Sequence, residues 1–204
     1  CVMAINFKES KTKENLMKAF AGESQARNRY TFAAEQARKQ GMYAVADVFL
    51  FTADQERAHA ERYYDLLKDL TGETIEICGG YPVDKDEDIV KLLEAAKHNE
   101  FEEYEDVYQA FGDTAKEEGF LEIASAFYQI AEVEKMHGKR FEKIAEMLKD
   151  GTYFDTPEES KWMCTNCGYI HTGKRAPSVC PACRHEQGYF IPLEFAPYQG
   201  NIVC

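Results

Sequence analysis

Ala53-Asp54-Gln55-Glu56-Arg57-Ala58-His59-Ala60 and Glu134-Lys135-Met136-His137-Gly138-Lys139-Arg140-Phe141 are the stretches on which the reading turns. Each holds Glu-x-x-His, and on a helix that spacing puts both side chains on one face. Of the five histidines only His59 and His137 follow a carboxylate at this interval; His98, His171 and His185 do not. As surface pairs they would contribute about 0.2–0.5 kcal/mol each. Their surroundings point inward instead, because Phe49, Tyr63, Phe127, Ile130 and Phe141 recur at core spacing. Carboxylates buried without a cation are heavily penalised, so the pattern predicts metal.

Outward from the two motifs, residues 11–40 and 43–70 repeat Ala, Leu, Phe and Tyr at helical intervals without proline. Gly41 joins them so tightly that the helices must run antiparallel. Residues 71–84 hold Gly72, Gly79, Gly80 and Pro82 and break the pattern for longer than a turn, which reads as a crossover. Helical pattern returns over residues 86–118, Gly119 marks a second tight join, and a fourth helix spans residues 120–149. Hairpin, crossover, hairpin is the ferritin-like four-helix bundle, so the chain is read as mainly α. The partner helix of each hairpin adds acid at matching height, Glu23 in the first and Glu100 with Glu103 in the third. One Glu from each of two helices and Glu-x-x-His from each of the others is the ligand inventory of di-iron and di-manganese carboxylate sites. Two such cations close together need anionic oxygen, and imidazole completes the sphere without adding charge.

The seven cysteines are unevenly spread. Cys164-x-x-Cys167 and Cys180-x-x-Cys183 form two knuckles twelve residues apart, while Cys1, Cys78 and Cys204 stand alone. Such clustering indicates metal, not disulfides, and the three others are read as free thiols. Four thiolates in a tetrahedron suit zinc or a single iron, and spacing does not choose between them. A redox metal pair in the same chain favours iron, because it needs a source of single electrons. Trp162, Tyr169, Phe190 and Phe195 are expected to form the small core. The boundaries predicted are a bundle over residues 1–150, a linker over 151–160 and a cysteine module over 161–204. The eleven residues 151–161, if extended, could span roughly 35 Å at about 3.3 Å each, so the module need not dock on its own bundle.

Acidic residues outnumber basic ones by 36 to 24, for a net charge of −12. Nucleic acid and anionic membrane are therefore excluded as partners. No apolar run approaches the roughly 18 residues of a membrane span, and the N-terminus lacks the pattern of a secretion signal. A soluble, cytoplasmic protein is expected, and a chain starting at Cys1 implies an initiator Met removed or left out.

The residues resemble the rubrerythrin family over nearly the whole chain. The resemblance rests on the two quoted stretches, on Ala21-Gly22-Glu23-Ser24-Gln25-Ala26-Arg27-Asn28-Arg29-Tyr30, and on Trp162-x-Cys164-x-x-Cys167-Gly168-Tyr169 with Cys180-Pro181-x-Cys183, which looks like a rubredoxin-type centre. It implies a non-haem di-iron peroxidase that reduces hydrogen peroxide in oxidative stress protection. It implies one further iron on Cys164, Cys167, Cys180 and Cys183, and electrons from a redox donor such as a rubredoxin or an NAD(P)H-dependent reductase. Carried over, Glu56 and Glu134 bridge the irons, Glu23 holds the first, and Glu100 with His137 holds the second. Glu103 and His59 alternate on the first iron, carboxylate when oxidised and imidazole when reduced, and whichever is off the metal is the candidate proton donor. Tyr30 and Tyr108 lie beside the site and could hydrogen-bond its carboxylates. Head-to-tail homodimers, with helices exchanged in some members, are also implied. Glu102 is set aside because its helix angle points elsewhere. The competing readings are a ferroxidase or iron-storage protein, a peroxide or dioxygen sensor, and a zinc-stapled interaction protein.

Overall fold

A computed structural model describes residues 5–197. Helices α1 (Lys11–Lys39) and α2 (Tyr43–Asp65) form the first hairpin. Ser10 caps α1 by accepting a hydrogen bond from the Lys13 amide at 3.0 Å. The same helix end is tied across the bundle, since the Glu118 carboxylate accepts from the Lys11 and Thr12 amides at 3.0 and 2.9 Å. Both joins need a left-handed residue, and glycine supplies it: Gly41 has φ 72° and Gly119 has φ 90°.

After the crossover, Asp88 caps α3 (Ile89–Glu102), which runs through a π-helical turn (Glu103–Val107) into α4 (Tyr108–Glu117). Sequence periodicity predicts one unbroken helix here. The π turn inserts one extra residue, so that Tyr108 is the buried position on the far side of the turn and Val107 is only half-buried. Helix α5 (Leu121–Lys149) closes the bundle.

The packing explains where a polar site can sit. Apolar side chains collect in two buried clusters, one including Ala26, Ala53, Ala96 and Phe141, the other Ala19, Tyr63, Tyr108 and Ala131. On every long helix the buried acid lies between them: Glu23 between Ala19 and Ala26, Glu56 between Ala53 and Tyr63, Glu100 between Ala96 and Tyr108, Glu134 between Ala131 and Phe141. Four carboxylates thus form one layer between two dry plugs.

The remainder is a three-stranded antiparallel sheet in the order β2 (Ile170–Arg175), β1 (Asp155–Cys164), β3 (Phe190–Pro192). Strand β1 begins inside the stretch that composition suggests is a linker. The module packs on its own bundle: Met163, Ile191 and Tyr153 join the first apolar cluster, and the Tyr43 and Tyr189 rings stack at 4.3 Å. Gly188 is required there, because a Cβ on it would fall 1.6 Å from the Gly41 carbonyl oxygen. Trp162 and Phe190 form the module's own core with Tyr169 at its edge, whereas Phe195, expected in that core, packs against the bundle cluster. The chain past β3 turns back over the helices, which sequence pattern does not encode.

Candidate metal centres

Within the carboxylate layer two groups of four ligand atoms converge, each to within 4.8 Å: Glu23, Glu56, His59 and Glu134, and Glu56, Glu100, Glu134 and His137. Glu56 and Glu134 belong to both, so the geometry has two positions joined by two shared carboxylates. His59 Nδ1 lies 2.9 Å from Glu134, 3.2 Å from Glu56 and 4.0 Å from Glu23. His137 Nδ1 lies 2.8 Å from Glu134, 3.0 Å from Glu56 and 3.4 Å from Glu100. Despite these separations, one or more oxygens of Glu23, Glu56, Glu100 and Glu134 and the Nδ1 of His137 have no aligned hydrogen-bond partner. Buried polar atoms that crowd a common point without bonding one another are what ligands around a cation look like. Four carboxylates against two neutral imidazoles also balance two divalent cations, so donor set and charge both fit a metal pair.

Without that charge the cluster is frustrated. Burial, then Glu134 and Glu56, pushes the Glu23 carboxyl well above its usual range. Burial, then the charge of Glu56, lifts Glu100 to about 8. Burial would raise Glu56 too, but its contacts with His137 and His59 outweigh it and hold that group at about 2. Burial would lower His59, and Glu134 and Glu56 instead raise it to about 9.

Glu103 stands in neither converging group. It is half-buried at the start of the π turn, and desolvation, then Glu100's charge, pushes its carboxyl well up. Glu102 and His98 are exposed. The Tyr108 hydroxyl donates to Glu23 at 2.5 Å, and Tyr30 donates to Glu100.

Sequence reasoning missed the layer behind His137. Gln55 Oε1 accepts from its Nε2 at 3.0 Å, which leaves Nδ1 as the lone-pair nitrogen facing the carboxylates. Arg140 donates to Thr52 at 3.2 Å and approaches Gln55 at 3.5 Å. The signal was present, since Gln55 adjoins Glu56 and Arg140 sits three residues past His137 on the same face.

The second centre is built differently. Cys164 and Cys183 sulfurs lie 3.7 Å apart, as do those of Cys167 and Cys180. A disulfide would need about 2.05 Å, whereas a tetrahedron with metal–sulfur bonds of about 2.3 Å has edges of about 3.8 Å. The two knuckles repeat one turn: the Gly168 amide bonds the Cys164 carbonyl at 2.8 Å, and the Arg184 amide bonds that of Cys180 at 2.9 Å. Both residues are left-handed, Gly168 at φ 79° and Arg184 at φ 68°. A backbone amide from His185 helps bring the Cys183 thiol down to about 6. Cys78 is an exposed free thiol, and Cys1 and Cys204 lie outside the described residues. Among the described residues no helix is long and apolar enough to cross a membrane.

Comparison with known proteins gives matches over both parts. The family described as Rubrerythrin matches residues 14–150, and the one described as Rubrerythrin, rubredoxin-like domain, matches residues 162–191. The chain is 47% identical to a rubrerythrin of Porphyromonas gingivalis over 93% of each chain. It is 48% identical to Rubrerythrin-1 of Clostridium acetobutylicum over 91% of this chain and 95% of that one. A solved structure of fully reduced, all-ferrous nigerythrin resembles it with a TM-score of 0.60 at 28% identity, covering 93% of this chain and 94% of that one.

Proposed function

The chain belongs to the rubrerythrin family, with a di-iron site in its bundle and a rubredoxin-like four-cysteine iron site, and we propose that it is a peroxidase that reduces hydrogen peroxide to water. The observation that carries this reading is the doubly shared carboxylate layer in one chain with a one-electron centre. When bound, the iron pair supplies the two electrons that break the O–O bond.

The residues divide the remaining work. Glu56 and Glu134 would hold both positions, Glu23 and His59 would complete the first, and Glu100 and His137 the second. Tyr108 and Tyr30 each fix one oxygen of Glu23 and Glu100, so those carboxylates keep their orientation as charge at the site changes. Glu103 and His59 are the two side chains that would serve the first position, the anionic oxygen suited to an oxidised iron and the neutral nitrogen to a reduced one. Glu103 stands off the cluster with its carboxyl pushed well up by desolvation, so it is placed to give a proton to the departing oxygen.

The division of labour runs at residues 151–160, with reduction in residues 1–150 and electron delivery from residues 161–204. The donor is a redox protein such as a rubredoxin or an NAD(P)H-dependent reductase, the setting is the cytoplasm, and the assembly is a homodimer. Anaerobic incubation of holo-protein with excess reductant and hydrogen peroxide tests the reading. Repeated turnover, slowed when Cys183→Ser removes the relay, is expected. Iron uptake and dioxygen consumption without peroxide turnover would point to a ferroxidase.

A further inference from the structure

We propose that the cavity beneath the crossover is the oxidant's way in to the bundle's metal site, and that Tyr81 limits the size of peroxide admitted. The proposal rests on the peroxidase reading and adds a route and a specificity to it. The cavity holds about 320 Å³. Its floor includes Glu103 and Tyr108, its wall Gln25 and Arg29, its roof Gly79 and Tyr81. Tyr108 donates to Glu23 at 2.5 Å, so the floor is one hydrogen bond from a carboxylate of the converging cluster. Two larger cavities, of about 620 and 530 Å³, are lined by neither Glu103 nor Tyr108.

The roof is a single layer of chain. Residues 71–88 carry neither helix nor strand. Lys8 holds Glu73 and Gln36 holds the Glu87 carbonyl at 2.9 Å towards the two ends. Between them the Tyr81 hydroxyl donates to the Lys18 carbonyl at 3.0 Å, and Asp84 is held by Arg29 and by Asn99, the latter at 2.7 Å. Tyr81 is 40% exposed, and its ring covers Gly22, where an added Cβ would lie 3.6 Å from the ring edge. One side-chain hydrogen bond holds this plug, so the ring can swing out without disturbing a helix. A Cβ on Gly79 would stand 3.3 Å from the Tyr81 hydroxyl, so glycine keeps the space beside the ring clear. Amide and guanidinium groups of Gln25, Arg29 and Asn99 offer hydrogen bonds to a small oxidant, and with Val107 and Phe111 lining the rest, it is the Tyr81 ring that sets the size admitted. The rival entrance is the edge of His59, whose side chain is 12% exposed.

Cys78 also lines the cavity, and its exposed thiol is a handle for plugging it. In a Cys1→Ser, Cys204→Ser background, Cys78 is labelled with a bulky maleimide. Azide association with the oxidised holo-protein is then timed by stopped flow. Reoxidation of the reduced protein by hydrogen peroxide and by cumene hydroperoxide is timed alongside. The label is expected to slow azide and hydrogen peroxide by the same factor, about tenfold or more. Tyr81→Ala is expected to raise the cumene hydroperoxide rate relative to hydrogen peroxide by about tenfold, the scale on which pockets discriminate by size. Tyr81→Phe, which keeps the ring but loses its bond to the Lys18 carbonyl, is expected to fall between Tyr81→Ala and the unaltered protein. Azide association indifferent to the label overturns the route and moves the entrance to the His59 edge. An unchanged peroxide preference in Tyr81→Ala overturns the role of Tyr81. Azide gated by the label in a protein that leaves hydrogen peroxide untouched supports the route and removes the peroxidase reading instead.

Discussion

The bundle site and the cysteine module hold metal in opposite ways. In the bundle the ligands span residues 23–137 and come from helices packed through two apolar clusters that contain none of the ligands. In the module all four ligands lie within residues 164–183, on turns around a core of a few side chains. One fold creates a site that strains until metal arrives; the other metal creates the fold. Precision in the first comes from helix packing, and in the second from the coordination bonds themselves.

The largest expected effect breaks the two apart. Stripping metal with a chelator under reducing conditions should unfold the module and leave the bundle helical, read as proteolysis confined to residues beyond 150 with helical circular dichroism retained. Next, Glu103→Ala should lower peroxide turnover by about 10–100-fold, the usual cost of disturbing a ligand or its support, with iron content nearly unchanged. Full turnover would remove Glu103 from the cycle. Gln55→Leu, which frees the His137 ring, should weaken iron binding in the bundle by about tenfold and leave the cysteine site's colour intact.

The pH dependence sharpens the same contrast. In metal-free bundle, Glu100 at about 8 and His59 at about 9 lie above their unfolded values of about 4.3 and 6.5. The folded state then holds protons that the unfolded chain releases, so stability should fall as pH rises from about 4.3 to 9. Glu56, held at about 2, works the other way only below about 4.3. Metal displaces those protons, so the holo-protein should gain affinity over the same range. The thermal midpoint of the metal-free form should therefore fall across this range, while that of the holo-protein rises to about pH 6.5 and then levels off; two falling slopes would contradict the ligand assignment. The smallest effect expected is in the second knuckle, where Arg184→Gly should relieve a left-handed backbone and stabilise the module by about 0.5–1 kcal/mol, seen as a small rise in its melting point.

The bundle was readable because long helices broadcast a period: the limits of α1 and α5, the start of α2, the crossover and both Glu-x-x-His pairs follow from spacing alone. Helix α2, however, ends at Asp65 and not at residue 70, its apolar pattern continuing into a separate 3-10 turn at Lys68–Leu70. The knuckles were readable because thiolate ligands cluster locally. The π turn was not, since an extra residue in a helix leaves no residue-type mark, and it decides where Glu103 and Tyr108 point. Nor was the docking of the module: Pro157 and its polar neighbours resemble a free linker, yet Tyr153 and Met163 on either side of it are buried in the bundle cluster. Long-range apolar contacts of that kind have no signature within a few residues.

The central claim, that electrons from the cysteine centre serve peroxide reduction in the bundle, has one direct test. Fully reduced holo-protein is mixed anaerobically with hydrogen peroxide while the visible absorption of the thiolate-bound iron is followed. Rapid return of the ferric thiolate colour, abolished when Glu134→Gln disables the bundle site, is the expected result. A colour that stays bleached, or that returns equally fast in the Glu134→Gln protein, would contradict it.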